Sequence, residues 1–239
     1  MEIALIALLT LVASVVGTLS GFGTSSIMVP TLLFFFPLSQ VLLFAGIIHW
    51  AVDVWKVSLF RQGVRWRLIL LFGVPGVALA FLGARLVFSF PEALLSQVLG
   101  GFLVSYVVFL FLNPSFKIPQ NDAAAVTGGA LSGFSAGIFG VGGAIRGAFL
   151  TAFSLPKIVY IATAGAIGFA VDATRVTAYV LGGATLPPHL LWGLLLFIPV
   201  SFLGATIAKK IVGRIPEGRF RGVVALFLLL VGARLLLFS

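Results

Sequence analysis

Residues 38–60, 66–88, 188–212 and 217–238 are apolar runs separated from their neighbours by short loops. A helix crosses a bilayer's hydrocarbon core with about 20 apolar residues, in a range of about 17–25. These runs therefore predict a chain that passes repeatedly through a membrane as helices. Composition points the same way. Hydrophobic residues make up 61% of the sequence and charged residues 9%, against about 25% charged in a soluble domain. No soluble fold hides that much apolar surface, so lipid must solvate the outside.

The net charge of +9 does not indicate a nucleic-acid partner. The basic residues sit in short loops between apolar runs, where membrane topology and anionic headgroups account for them. With no Cys and only His49 and His189 as imidazoles, neither clustered with other ligands, no metal and no cofactor is expected. No Ser–His–Asp order, P-loop, haem pattern or HExxH motif occurs, so an enzyme is not expected. GVGG at 140–143 lacks the strand and helix of a nucleotide-binding fold. The opening MEIALIALLTLVASVVG has the apolar core of a signal peptide but carries Glu2 where Lys or Arg belongs. It is read as part of the mature protein.

Further apolar segments fall at 2–20, 24–36, 92–112, 123–143, 144–154 and 157–181. The pieces 24–36 and 144–154 are too short to cross alone. Each follows a glycine-rich break, GFGTSS at 21–26 and GIFGVGG at 137–143, which reads as a helix–turn–helix hairpin dipping into the membrane. The order of features then repeats. AVDVWKV at 51–57 returns as AVDATRV at 170–176, FLGA at 81–84 as FLGA at 202–205, and Pro91-Glu92 as Pro216-Glu217. Pro37 and Pro156 keep the same offset as Asp53 and Asp172, and Gly23 pairs with Gly140. A competing match, LSGF at 19–22 with LSGF at 131–134, shifts the register at the break. The expected organisation is one membrane transport domain over 1–239, with repeats at about 1–112 and 123–239 and the polar linker NPSFKIPQND at 113–122.

Charge sets the relative orientation of the repeats. In the first, Lys56, Arg61, Arg65 and Arg67 follow the Asp-containing helix. In the second, the equivalent loop GGATLPPHL has no Lys or Arg, and the cluster Lys209, Lys210, Arg214, Arg219 and Arg221 comes one loop later. Parallel repeats would place the two clusters on opposite sides, against the positive-inside bias. Inverted-topology repeats, each a re-entrant helix hairpin followed by three transmembrane helices, gather both clusters with Lys117 and Lys157 on the cytoplasmic side. The fold expected is an all-α polytopic membrane protein of this kind, its termini extracytoplasmic.

Inverted repeats with paired broken helices predict a transporter whose site lies near the membrane midplane. A half-helix N-terminus presents unpaired N–H groups and the positive end of its dipole, which suits an anion. The candidate binding residues are Gly21, Gly23, Thr24, Ser25, Ser26, Gly140, Gly142, Gly143 and Arg146. The competing reading makes the glycines helix-packing residues. Arg146 is the sharpest of the set, because a charge at membrane depth costs about 3 kcal/mol and needs a partner or a task. Its guanidinium suits an oxyanion; the alternative is snorkelling or a structural pairing with an aspartate. Asp53 with Lys56, and Asp172 with Arg175, share an i, i+3 spacing that sets each pair on one helix face. Each pair is read either as a coupling or gating element or as a neutralised pair fixing helix depth. His49, one turn before Asp53, belongs to the residue type that titrates near neutral pH, though a packing role is open too. Trp50, Trp55, Trp66 and Trp192 read as interfacial anchors, and Arg85 and Arg234 as snorkelling residues.

Over nearly its whole length the chain resembles the TauE/SafE family of sulfite exporters and related anion permeases. The resemblance rests on GFGTSSIMVP at 21–30, GIFGVGG at 137–143, the FLGA segments ending in Pro-Glu, and overall size. Here Thr24-Ser25-Ser26 replaces the family's glycine run, and Gly147 stands in place of its proline. The resemblance implies secondary transport of sulfite, an organosulfonate or a similar sulfur-containing anion across a bacterial or archaeal cytoplasmic membrane. A proton or sodium ion is the expected coupling partner, because no ATPase element is present. A passive anion channel and a non-transport membrane assembly subunit are the alternative functions.

Overall fold

A computed structural model of the chain describes residues 2–20, 23–60, 63–113, 118–212, 229–230 and 232–237. Gly21, Arg61, Lys117, Arg214, Pro216, Glu217, Arg219 and Arg221 lie outside the described residues. The helices in chain order are α1 (Glu2–Ser20), α2 (Ser25–Leu32), α3 (Leu38–Leu59), α4 (Trp66–Leu86), α5 (Glu92–Leu112), α6 (Asp122–Phe139), α7 (Gly143–Thr151), α8 (Lys157–Leu181) and α9 (Pro188–Ile211). Residues 232–237 are also helical. Among the described residues there is no strand, and six helices (α1, α3, α4, α5, α8 and α9) are long and apolar enough to cross a membrane.

Local sequence accounts for the helix starts. Pro37, Pro91, Pro156 and Pro187 each occupy the residue just before a helix, with φ between −53° and −62° and an extended ψ. The pyrrolidine ring fixes that φ and cannot continue an earlier helix, so proline punctuates each entry. The Asn121 side chain accepts from Ala124 N at 2.8 Å and caps α6. The two breaks are built alike. Gly23 has φ +80° and Gly140 φ +70°, a left-handed conformation that favours glycine. This supports the pairing of Gly23 with Gly140, whereas the LSGF match would set the end of α1 against the middle of α6.

Small residues decide how closely helices pack. Gly129, Gly133 and Gly137 recur every four residues along α6 and face Phe72, Gly76 and Ala80 of α4. A Cβ on Gly133 would lie 2.6 Å from Gly76 Cα, so the two backbones touch. The α1–α9 seam is closed in the same way, with the Cβ position of Gly204 at 2.7 Å from Ser14 Cβ. The pairings are symmetric under exchange of α1–α4 with α6–α9. Contact of α4 with α6 mirrors that of α9 with α1, α4 with α8 mirrors α9 with α3, and α2 with α3 mirrors α7 with α8. The α3–α8 contact maps onto itself and lies at the centre.

Helix ends sort into two groups. At one end of the molecule, Arg67 pairs with Asp122 at 2.6 Å, Arg65 N donates to Thr163 Oγ1 at 3.2 Å, and Lys157 Nζ donates to the Val212 carbonyl at 2.7 Å. At the other, Glu2 pairs with His189 at 3.3 Å, the Phe36 ring lies 6.3 Å from the His189 ring, and Glu92 accepts from the Leu38 and Ser39 amides. The chain thus enters α1 and leaves α2 at one end of the molecule. It enters α6 and begins α8 at the other, so α3 and α8 run in opposite directions.

Two sequence expectations are corrected. Lys56 does not belong with the loop cations that set topology: it sits buried in the last turn of α3 and bonds Asp53, as the i, i+3 spacing expects. Trp55 is not an interfacial anchor. Its Nε1 donates to Ser201 Oγ at 3.2 Å and its ring meets Phe202 edge-on, which places it in the α3–α9 seam. Trp66 and Trp192 are exposed on the outer surface, and Trp50 stacks on Phe169.

Candidate functional site

The charged residues of α3 and α8 converge where the two glycine breaks meet. The i, i+3 spacing acts as the helix period requires: Lys56 Nζ lies 2.8 Å from Asp53 Oδ1, and Arg175 Nε lies 2.6 Å from Asp172 Oδ1. Contacts between the halves then join the pairs. His49 Nδ1 is 3.0 Å from Asp172 Oδ2, and Nε2 is 3.8 Å from Asp53 Oδ1. Arg175 Nη2 donates to Ser25 Oγ at 3.0 Å, at the start of α2. Ser25, His49, Asp53, Lys56, Arg146, Asp172 and Arg175 are all buried, none more than 3% exposed.

Arg146 enters from α7. Its Nη1 lies 3.0 Å from where a Gly168 Cβ would be, and the Asp53 carboxylate crowds the same point. It makes no ion pair with a described residue, and its Nε has no hydrogen-bond partner. Thr24 Oγ1, His49 Nε2, Asp53 Oδ2 and Arg175 Nη1 are likewise buried without a partner among the described residues. Buried polar atoms are ordinarily satisfied, so such a group in one place marks a polar centre in an otherwise apolar interior. Its charges do not cancel, since three cations (Lys56, Arg146 and Arg175) face two carboxylates (Asp53 and Asp172). The breaks themselves touch: the Cβ position of Gly23 lies 2.7 Å from His49 Nε2 and 3.7 Å from Gly143 Cα.

A family model described as sulfite exporter TauE/SafE matches residues 6–235, nearly the whole chain. The chain belongs to the TauE/SafE family. As a TauE/SafE protein with six spanning-length apolar helices it is an integral membrane protein of a transporter family, with a small anion as substrate class. No match is found among curated proteins.

Within this TauE/SafE chain the predicted site residues divide. Gly23, Thr24, Ser25, Gly143 and Arg146 gather with His49, Asp53, Asp172 and Arg175. Ser26 is buried on α2. Gly140 supplies the left-handed turn and has Leu42, Val29 and, at 3.4 Å from its Cβ position, Arg175 Nη1 around it. The Cβ position of Gly142 is pressed against α6 at Ser132 and Ala136, so close packing there requires glycine. Two contributors lie outside the predicted set. Gly168 makes room for Asp53 and Arg146, and the Tyr179 hydroxyl bonds the Gly137 carbonyl near the end of α6. Both sit four residues from a predicted residue of α8, Asp172 and Arg175 respectively, so helical spacing was the available signal.

His49, Asp53 and Asp172 each place one potential ligand atom within 4.8 Å of the others. Each carboxylate, however, already bonds a cationic side chain, and Arg146 adds a third positive charge. The donor set therefore favours an anion over a metal ion.

Proposed function

We propose that this protein is a secondary transporter that moves a small sulfur-containing anion, sulfite or an organosulfonate, across the cytoplasmic membrane of a bacterium or archaeon. The anion sits where α2 and α7 begin. The observation that carries this reading is the surplus positive charge at that point, with Arg146 buried and its Nε without a hydrogen-bond partner among the described residues. The first N–H groups of a helix lack intrahelical partners and carry the positive end of its dipole. Two such starts, at Ser25 and Gly143, add backbone donors to Arg146 and the Thr24 hydroxyl, while the Ser25 hydroxyl donates to the Ala45 carbonyl and holds Arg175 in place. A tetrahedral or pyramidal oxyanion accepts several hydrogen bonds at once, which matches this set.

The architecture we infer is a single transport domain of two inverted repeats over about 1–112 and 123–239, each opening with a re-entrant hairpin. The opposed directions of α3 and α8 and the mirrored helix pairings support it. Rocking of one repeat against the other then exposes the site alternately to each side. The test is counterflow in proteoliposomes against sulfite, thiosulfate, sulfoacetate, taurine, phosphate and carboxylates. Saturable counterflow of a sulfur anion supports the transporter; unsaturable flux without counterflow supports a channel instead. One charge-assisted hydrogen bond is worth about 1.5–3 kcal/mol, so Arg146→Gln should raise the half-saturating concentration roughly ten- to a hundredfold. Unchanged affinity in a correctly inserted variant removes Arg146 from the site.

A further inference from the structure

We propose that His49 carries one proton with each doubly charged anion, making the protein a proton–anion cotransporter; this rests on the anion-transport reading above. The argument is a symmetry broken at one position. In the repeat register, Gly46, Asp53 and Lys56 correspond to Gly165, Asp172 and Arg175, and His49 corresponds to Gly168. The packing follows that register. The Cβ position of Gly46 lies 3.7 Å from the Arg175 guanidinium carbon, and that of Gly165 lies 2.9 Å from Lys56 Cβ. Each aspartate bonds the cation one turn further along its own helix. The third neighbour differs among the described residues. His49 comes within 3.0 Å of Asp172 but only 3.8 Å of Asp53, whereas the space left by the bare Gly168 is shared by the Asp53 carboxylate and Arg146 Nη1. A permanent cation fills one half of the cage and a switchable one fills the other.

Charge then sets the stoichiometry. Three fixed cations and two carboxylates leave one surplus positive charge, enough for a singly charged anion. A doubly charged anion leaves a net negative charge in an apolar interior, which is costly. A proton on His49 removes it. The ring nitrogen that takes the proton follows from geometry. Nδ1 lies 3.0 Å from the acceptor Asp172 Oδ2 and 3.4 Å from the donor Arg175 Nη2; the shorter contact, to a carboxylate, assigns the proton of the neutral ring to Nδ1 and leaves the lone pair on Nε2. Nε2 is buried, has no hydrogen-bond partner among the described residues, and faces the break at Gly23. Asp53 Oδ1, 3.8 Å away, supports the imidazolium once it forms.

The other charged or titratable groups around the ring are accounted for. On its own helix these are Asp53 and Lys56. From α8 come Asp172, Arg175 (Nη2 at 3.4 Å from Nδ1) and Tyr179, whose hydroxyl is engaged with the Gly137 carbonyl; from α7 comes Arg146. The start of α2 offers only the hydroxyls of Thr24 and Ser25. On α1 and α9, Glu2 and His189 pair with each other at one exposed end, and Lys209 and Lys210 lie exposed at the other. The proton arrives from the aqueous side open to the site, binds Nε2 while the anion is bound, and leaves from Nε2 on the far side. No bond to the anion forms or breaks.

The test uses the full chain in voltage-clamped proteoliposomes enclosing a pH dye, with thiosulfate as the doubly charged probe and isethionate as the singly charged one. Thiosulfate entry should acidify the lumen by one proton per anion, and isethionate entry should not. His49→Gln should lower the thiosulfate-to-isethionate flux ratio by about tenfold or more, and its residual thiosulfate flux should carry no proton. Thiosulfate flux without acidification in the wild type, equal acidification with both probes, or acidification that survives in His49→Gln overturns the coupling. Wild-type counterflow of thiosulfate in those cases leaves the transport reading standing. Failure of the wild type to move any sulfur anion overturns that reading and the coupling together. Should His49→Gln fail to insert, the two-probe comparison in the wild type decides alone.

Discussion

Asp53 and Lys56 show what one buried bond does in this interior. The pair is 2.8 Å apart, and neither partner reaches solvent. Removing one partner of a buried ion pair costs about 3–5 kcal/mol, because the charge left behind is uncompensated. Asp53→Asn should therefore destabilise the protein by roughly that amount, while Asp53→Asn with Lys56→Met should recover most of it. Thermal unfolding in detergent reads both, and equal losses in the single and double variants would show that the pair is not the source. These pairs were legible in the sequence because i, i+3 spacing is local. The bridge from His49 to Asp172 was not, since it joins residues far apart in the chain through the α3–α8 packing. Counting Lys56 with the loop cations failed for a related reason. A basic residue in the last turn of a helix and one in the following loop look alike in sequence, and only the inward face of α3 separates them.

Glycine has different tasks in different elements, and the helices separate them. Gly129 sits where a Cβ would lie 2.7 Å from Phe72 Cα, a position no side chain tolerates while α4 and α6 stay together. Gly73, one residue on from Phe72, has nothing within 4 Å of its Cβ position. Gly129→Ala should cost about 1–3 kcal/mol through overpacking. Gly73→Ala should instead be neutral or stabilise by up to about 1 kcal/mol through helix propensity. Melting of the two variants side by side checks this, and equal shifts would contradict the close α4–α6 approach. The sequence made both breaks visible as glycine clusters but could not sort turn glycines from packing ones. Gly23 and Gly140 owe their identity to a positive φ, whereas Gly142 owes its own to Ser132 and Ala136 of α6. Such distinctions live in tertiary contacts that periodicity does not carry.

For the molecule as a whole, the consequential feature is that α1 packs along α9 and α6 along α4. The central α3–α8 pair that carries the charged residues in turn packs against α9 and α4. The inverted repeats proposed above account for these pairings, and inversion makes a prediction about sides. The chain contains no Cys, so single cysteines report topology without background. Arg65 follows α3 and Thr185 follows α8, at corresponding places in the two repeats, and both are exposed. Lys210, at the end of α9, is exposed as well and shares the end of the molecule where Lys157 meets Val212. In sealed vesicles of one known orientation, an impermeant maleimide should label Arg65→Cys and Lys210→Cys from the same side, and Thr185→Cys from the other. The positive-inside bias assigns the first side to the cytoplasm. Parallel repeats would put Arg65→Cys with Thr185→Cys and leave Lys210→Cys opposite. That pattern would overturn the inverted architecture, and with it the meeting of two half-helix starts on which the proposed anion site depends.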